Sequence, residues 1–452
     1  MEPVAPRLAA WIANLQADAI PQDVIDRAKD CILDQIGCQM VGARLPHVAP
    51  VMRHVASLGA RPEASIVLSG IGSTAIYAAY ANGTFGHSME FDDSHVICGH
   101  PGAVVIPAAF AIAERDRLPG RDLLCGIIAG YQAMALGGGQ VHKAARSRGW
   151  HPMKFQGPFG AAGAVAKLRR LGAEQITHAL AIAGSEASGT MEYDQSGGEV
   201  KRVHAGSASR SGAQAALLAE QGLTGPATIF EGRRGIFKVF ADHFDGDPEA
   251  LWDRDFHLRD TMFKLSPAVF TIHGAIQAAE TIVAKHRPDP AAIERIIADV
   301  AEITIHHGAD IIHPRDMIGA QFSLHFAVSC VFSRGQARLE DFADPEAWND
   351  PEIRRLSTLV EVRERDVAPG ASELGGKVTV EMKGGARLEH DQPVPRGHHH
   401  NPASSGDIER KFQHLTDGFL PPDRSERIVQ MVSTLEQLED CCDLAQLVGA
   451  PI

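Results

Sequence analysis

The chain has 452 residues, 44% of them hydrophobic and 22% charged, with a formal net charge of -13 at pH 7. That length asks for two domains, the composition excludes a disordered chain, and no apolar run reaches the ~18 residues that a membrane span needs. The acidic balance argues against nucleic acid or a membrane surface as a partner, because both demand a basic protein surface.

The N-terminal Met1-Glu2-Pro3-Val4-Ala5-Pro6-Arg7 lacks the charged head and apolar core of a secretory signal, which predicts a cytoplasmic protein. Leu8, Trp11, Ile12 and Leu15, then Ile25, Ala28, Ile32 and Ile36, recur at helical spacing, with Pro21 where a second helix can begin. Seven cysteines, odd in number and without a CxxC pair, exclude a disulfide framework or a zinc ribbon and read as small buried apolar residues. The tracts Gly160 to Ala166 and Ala179 to Gly184 suit closely packed helices.

The character changes near residue 263. Ile296 to Ile305 is rich in β-branched residues, and Lys377 to Met382, Gly384-Gly385 and Ala386 to His390 read as a β-hairpin. From Ser404 the helical pattern returns with Ile408, Phe412 and Leu415 on one face. The expected fold is mainly α. A large all-helical domain, 1–262 plus 396–452, carries an inserted, smaller α+β lid domain, 263–395. The run His398-His399-His400 is expected in a solvated loop.

Chemistry concentrates in His87-Ser88-Met89-Glu90-Phe91-Asp92-Asp93-Ser94-His95-Val96-Ile97-Cys98-Gly99-His100, which gathers three carboxylates and three histidines. These side chains exchange protons near neutral pH, so the segment reads as an acid/base site, a metal site, or a polar helix end before Pro101. Other clusters are Trp150-His151-Pro152 ahead of Gly157-Pro158-Phe159-Gly160, the glycine-flanked basic stretch Lys201-Arg202-Val203-His204, and Lys264 with His273 near the domain seam. His325, isolated in an apolar helix, reads as a satisfied core residue. His87, His95 and His100 are available as ligands, but no HExxH spacing puts two of them on one helical face, so a metal centre is the weaker reading.

Taken in order, these motifs are recognisable. Leu33-Asp34-Gln35-Ile36-Gly37-Cys38, Asn82-Gly83-Thr84 through Pro107, Gly149-Trp150-His151-Pro152, Lys201 to Gly206, Gly222 to Pro226, Lys264, and Gln321-Phe322-Ser323-Leu324 run from about Leu8 to Leu415 as in the MmgE/PrpD family, which the chain resembles. That family includes 2-methylcitrate dehydratase, cis-aconitate decarboxylase and iminodisuccinate epimerase. The resemblance implies a homodimer, no metal or organic cofactor, and a di- or tricarboxylate held between the domains. Carried over by position, it implies roles for Glu90, Ser94, His100, His151, Lys201 and Lys264, with Asp93 and His204 beside them.

Two departures from the family pattern stand out. His325-Phe326 replaces the usual Pro-Tyr, removing a phenol, and Ala268-Val269-Phe270 replaces a cysteine- and arginine-bearing stretch. The expected activity is a cofactor-independent dehydration of a hydroxylated di- or tricarboxylate. His100 or His151 would move the proton, Glu90 and Asp93 would tune the histidines, and Ser94, Lys201, His204 and Lys264 would bind substrate. Epimerisation and decarboxylation are the alternatives, because all three outcomes pass through an anion beside a carboxylate.

Overall fold

Small side chains let the helices of the first part of the molecule approach closely. The computed structural model describes residues 3–241, 249 and 251–452, and the chain divides into two units, Met1–Thr261 with Ser404–Ile452 and Met262–Ala403.

The first unit is mainly helical. Helices Val4–Asn14 and Gln22–Gly42 form where the periodicity places them, the second starting after Pro21. Its centre is built from Ala75–Gly86, Gly102–Arg115, Gly120–Gly138, Gly157–Leu168 and Val200–Glu220. The approach that matters for the site is between Gly83 and Gly206. A Cβ on Gly206 would lie 2.1 Å from the Tyr80 carbonyl oxygen, and one on Gly83 3.0 Å from the Gly206 Cα. Only glycine lets these backbones meet, and the approach fixes the start of Val200–Glu220 against the end of Ala75–Gly86. The unit is not purely helical: Ala64–Ser65 pairs antiparallel with Gly72–Ser73. Among the described residues, no helix is long and apolar enough to cross a membrane. The cysteines are free, and all but the half-buried Cys442 are buried.

The second unit is a four-stranded sheet in the order Val360–Glu364, Ile293–Val300, Gly376–Met382, Arg387–Gln392, with helices that include His273–His286, Leu324–Arg334 and Pro351–Leu359. The first pair is parallel, with Ile296 opposite Val360. The hairpin pairs Glu381 with Arg387 around Gly385, whose φ of 82° is the left-handed geometry such a turn requires. Alternation in the hairpin's first strand turns Val378 and Val380 into a core shared with Ile276, Ile296, Ala298 and Val331.

Three local expectations are corrected. The β-branched run does not continue as strand to Ile305, because the chain breaks at Ala301 and Glu302–Gly308 is helical. Thr304 Oγ1 there donates to the Thr271 carbonyl at 2.9 Å, a tertiary bond that overrides strand propensity. Residues 396–403 stay with the second unit, where Phe263 N–H donates to Gly397 O at 2.8 Å. In that turn His398 is buried rather than solvated, stacked 4.2 Å from the His399 ring. His325 matches its expectation as a core residue, set between the Ser357 and Ala309 carbonyls at 3.2 and 3.1 Å.

Candidate functional site

The segment 87–100 links the end of helix Ala75–Gly86 to the start of Gly102–Arg115. It is not a solvated helix end: His87, Glu90, Asp92, Asp93 and His95 are all buried, and Asp92 is fully so. Burying that many ionisable groups is costly unless each finds a partner, so the pairing defines the site.

Asp92 Oδ2 takes His87 Nδ1 at 2.8 Å and lies 3.5 Å from His100 Nδ1. His100 Nδ1 also donates to the Asp93 carbonyl at 2.6 Å, which puts the ring proton on Nδ1 and leaves Nε2 as the atom that gains or loses one. Its side chain is 18% exposed, whereas those of His87 and Asp92 are wholly buried. Glu90 stands at φ 52°, a left-handed conformation that costs a non-glycine residue on the order of 1–3 kcal/mol. There its carboxylate forms an ion pair with Lys201.

Asp93 faces the other way. Its Oδ1 and Oδ2 accept from the Gly102 N–H at 3.0 and 3.2 Å, and Tyr131 Oη donates to Oδ2 at 2.7 Å. A Cβ on Gly102 would sit 2.9 Å from that carboxyl group, so glycine is what admits the interaction. Burial, reinforced by Asp92 and Asp34, pushes the Asp93 pKa up to about 8 against the opposing Tyr131 hydrogen bond. Ser94 follows, half-buried, in the two-residue strand Ser94–His95.

His151 precedes the short helix Pro152–Phe155, its N–H donating to Gly189 O at 2.9 Å. Its Nδ1 lies 2.9 Å from His204 Nδ1, so one proton is shared between two facing ring nitrogens. The His87 ring centroid is 5.0 Å from that of His100 and 5.9 Å from that of His151, so the four imidazoles form one continuous group. Burial first, then the neighbouring histidines, holds the His151 pKa well below its usual value. Burial, followed by His87, Lys154 and Lys201, lowers that of His204 to about 4. Both rings are neutral at pH 7.

The basic stretch is not a solvated turn either. Lys201, Arg202 and His204 occupy the first turns of Val200–Glu220, where the helix dipole adds positive potential. Arg202 is buried, bonded to Glu199 at 2.6 Å and to the Ser88 carbonyl at 3.1 Å.

The first unit therefore brings together Glu90, His100, His151, Lys201 and His204, with Asp93 beneath the loop and Ser94 at its edge. Lys264 belongs to the second unit and is almost fully buried. Sequence reasoning missed His87, Asp92 and Tyr193 as members of the group. The first two stood in plain view within the acidic segment. Tyr193, whose ring lies edge-on 5.4 Å from His151 and 5.8 Å from His204, carried no local signal and supplies a phenol to this group.

Among the described residues, two sets could hold a cation, each with ligand atoms within 4.8 Å of one another: His87, Asp92 and His100, and His95, His257 and Asp260. In the first, Asp92 serves the imidazoles as hydrogen-bond acceptor. In the second, His95 Nε2 bonds the His257 carbonyl at 2.9 Å and Asp260 pairs with Arg254, while His257 Nδ1 is buried without a hydrogen-bond partner.

The chain is similar to known proteins over its whole length. The cis-aconitate decarboxylase-like protein oryM of Aspergillus oryzae is 28% identical over 483 residues, spanning 99% of this chain and 98% of that protein. Human cis-aconitate decarboxylase is 28% identical over 479 residues, covering 100% and 95%. The Aspergillus terreus cis-aconitate decarboxylase is 27% identical, covering 99% and 96%. Residues 6–249 match the MmgE/PrpD N-terminal domain and residues 266–437 the MmgE/PrpD C-terminal domain. With both family domains matched in order across most of its length, the chain belongs to the MmgE/PrpD family.

Proposed function

We propose that this protein is a lyase that releases CO2 from an unsaturated tricarboxylate of the cis-aconitate type, using only its own side chains. The observation that carries the reading is the ion pair between Lys201, at the start of helix Val200–Glu220, and Glu90, which lies on the same buried loop that holds His100 against Asp92. Similarity to cis-aconitate decarboxylases over the whole chain supports the substrate class.

A substrate carboxylate competes with Glu90 for Lys201, at a helix start that already favours an anion. When the bond to the departing carboxylate breaks, its electron pair stays on the carbon skeleton and spreads toward a remaining carboxylate. Lys201 stabilises that charge, and His100 delivers a proton from Nε2 to carbon, forming the new C–H bond. Asp92, 3.5 Å from Nδ1, favours the imidazolium that must be regenerated for the next turnover. His151 and His204, both neutral, share one proton between their Nδ1 atoms, so one ring offers an Nε2–H donor and the other a bare Nε2 acceptor. Lys264 enters as a substrate-binding residue through the family resemblance alone, and Lys264→Ala tests it separately.

Dehydration of a hydroxylated tricarboxylate is the second reading. Loss of water needs a base at carbon and an acid at the leaving hydroxyl, and the site offers two imidazole groups, His100 and the His151–His204 pair. Incubation with cis-aconitate, 2-methylcitrate, citrate and iminodisuccinate in deuterated water separates the outcomes. Release of CO2 with one deuterium gained supports the first reading, and loss of water supports the second. Deuterium exchange without either product would defeat both in favour of epimerisation.

A further inference from the structure

A lysine from the far end of the chain grips the acidic loop. Lys411, on helix Ser405–Thr416, is buried, its side chain only 4% exposed. Its Nζ donates to Asp34 Oδ1 at 2.5 Å and to the Phe91 carbonyl at 2.5 Å, and it stands 4.0 Å from the centroid of the Phe91 ring. Asp34 lies on helix Gln22–Gly42, so three segments distant in sequence converge on one ammonium group.

A buried ammonium is expensive, and an ion pair with Asp34 alone would suffice to tie two helices together. Here two further interactions, with the carbonyl and with the ring face, both belong to Phe91. That residue lies between Glu90, which holds the left-handed backbone and the Lys201 pair, and Asp92, which holds His87 and His100. The peptide oxygen that Lys411 fixes belongs to the unit joining those two carboxylates. Arg202 holds the same loop one turn earlier, at the Ser88 carbonyl. With both carbonyls held by buried cations, the loop cannot relax Glu90 out of its strained φ without leaving a charge unpaired.

We propose that Lys411 is a positioning residue for the reaction: through the Phe91 carbonyl it fixes the loop on which Glu90 meets Lys201 and Asp92 meets His100. The inference rests on the functional reading above for its kinetic consequence, but its structural consequence is independent of any substrate.

The test uses the full chain in three forms besides wild type, read by thermal unfolding, by steady-state kinetics on the substrate that wild type converts, and by amide hydrogen exchange. Lys411→Met takes the ammonium away from the buried Asp34 carboxylate and is expected to lower stability. Asp34→Leu combined with Lys411→Met removes both charges, so the thermal midpoint is expected to return toward wild type. In that double variant kcat should stay down by about 100-fold, as expected of misplaced catalytic groups, with KM within about threefold. The Ser88 to Ser94 amides should exchange about tenfold faster, reporting local opening. Asp34→Asn keeps an acceptor beside Lys411 and should leave kcat and loop exchange near wild type.

Wild-type kcat and wild-type loop exchange in the double variant would overturn the proposal. So would an Asp34→Asn enzyme that reproduces the full loss of kcat while folded, because the helix pair rather than the hold on the loop would then be responsible. If wild type converts none of the tested polycarboxylates, the functional reading fails, and the exchange arm still decides whether Lys411 holds the loop.

Discussion

Two groups of two histidines and one aspartate draw on the segment 87–100, one lying wholly within it and the other joining its His95 to His257 and Asp260, and only the first has its rings facing further imidazoles. His95, His257 and Asp260 are all buried, and in the other group His87 and Asp92 are buried while His100 is half-buried. In the former group, however, His95 accepts the Ile97 N–H at Nδ1 and donates from Nε2 to the His257 carbonyl, while His257 Nε2 donates to Leu251 O. Backbone groups take three of the four ring nitrogens there, leaving His257 Nδ1 buried without a hydrogen-bond partner, and Arg254 neutralises the acid. In the latter group the imidazoles face one another and continue through His151 to His204, with Lys201 paired to Glu90 on the same loop. Composition alone does not distinguish these groups. What separates them is whether the ring nitrogens are spent on the fold.

The sharpest way to break that contrast is to exchange the roles. His100→Gln is expected to lower kcat by about 1000-fold, within the range of a missing general acid, with little change in thermal stability. His95→Gln should do the reverse, lowering stability by on the order of 1 kcal/mol as buried hydrogen bonds disappear while the folded enzyme keeps most of its kcat. Equal kinetic losses in the two variants would erase the distinction.

Lys201→Met is the next largest. It removes the charge that meets a substrate carboxylate and should reduce kcat/KM by about 100-fold, the order expected when a charge-assisted hydrogen bond is deleted from a partly desolvated site. Glu90→Gln, which releases Lys201 from its ion pair, should lower KM for an anionic substrate while slowing turnover. A raised KM in Glu90→Gln would argue that the ion pair positions Lys201 rather than competing for it.

Tyr193→Phe probes the phenol beside the His151–His204 pair, and about a tenfold fall in kcat is expected if it contributes to proton movement. An unchanged rate would leave Tyr193 as packing against the rings.

The pH dependence of stability separates the site's histidines from its carboxyl groups. His204 has its pKa lowered from 6.5 to about 4, so below pH 6.5 the unfolded chain takes up a proton that the folded chain refuses. Stability therefore falls as pH drops from about 6.5 toward 4, and His204→Gln should flatten that limb in a melting series. Asp93, raised from 3.8 to about 8, acts in the opposite sense. Between those values the unfolded chain gives up a proton that the folded chain keeps, so its contribution to stability declines as pH rises, and Asp93→Asn should remove that decline. The smallest expected effect is that of a chelator, which should leave turnover unchanged. Loss of activity restored by a divalent ion would make His87, Asp92 and His100 a metal centre instead.

Local pattern carried a good deal of this. The helices of residues 4–42, the hairpin around Gly384-Gly385 and the helix from Ser405 follow from period, proline and glycine placement, which act within a few residues. The residue types of the site were legible for the same reason, since Glu90, Asp92, Asp93 and His100 are neighbours in the chain. Where locality ended, so did the reading. Nothing near Lys201 announces that it begins a helix held against Gly83 through Gly206, or that its partner is Glu90.

By itself, then, the sequence determined that this is a largely helical protein with a strand-bearing segment before its last helices, and which stretch gathers its carboxylates and histidines. Only the tertiary structure decided that Asp93 turns inward to Tyr131 and the Gly102 amide while Asp92 serves the histidines. It also decided that Lys411, 320 residues away in sequence, holds the peptide between Glu90 and Asp92. The physical reason is that the protonation and orientation of a buried group depend on its partners and its desolvation. Those are properties of the packed chain, whereas periodicity and turn chemistry are properties of a few adjacent residues.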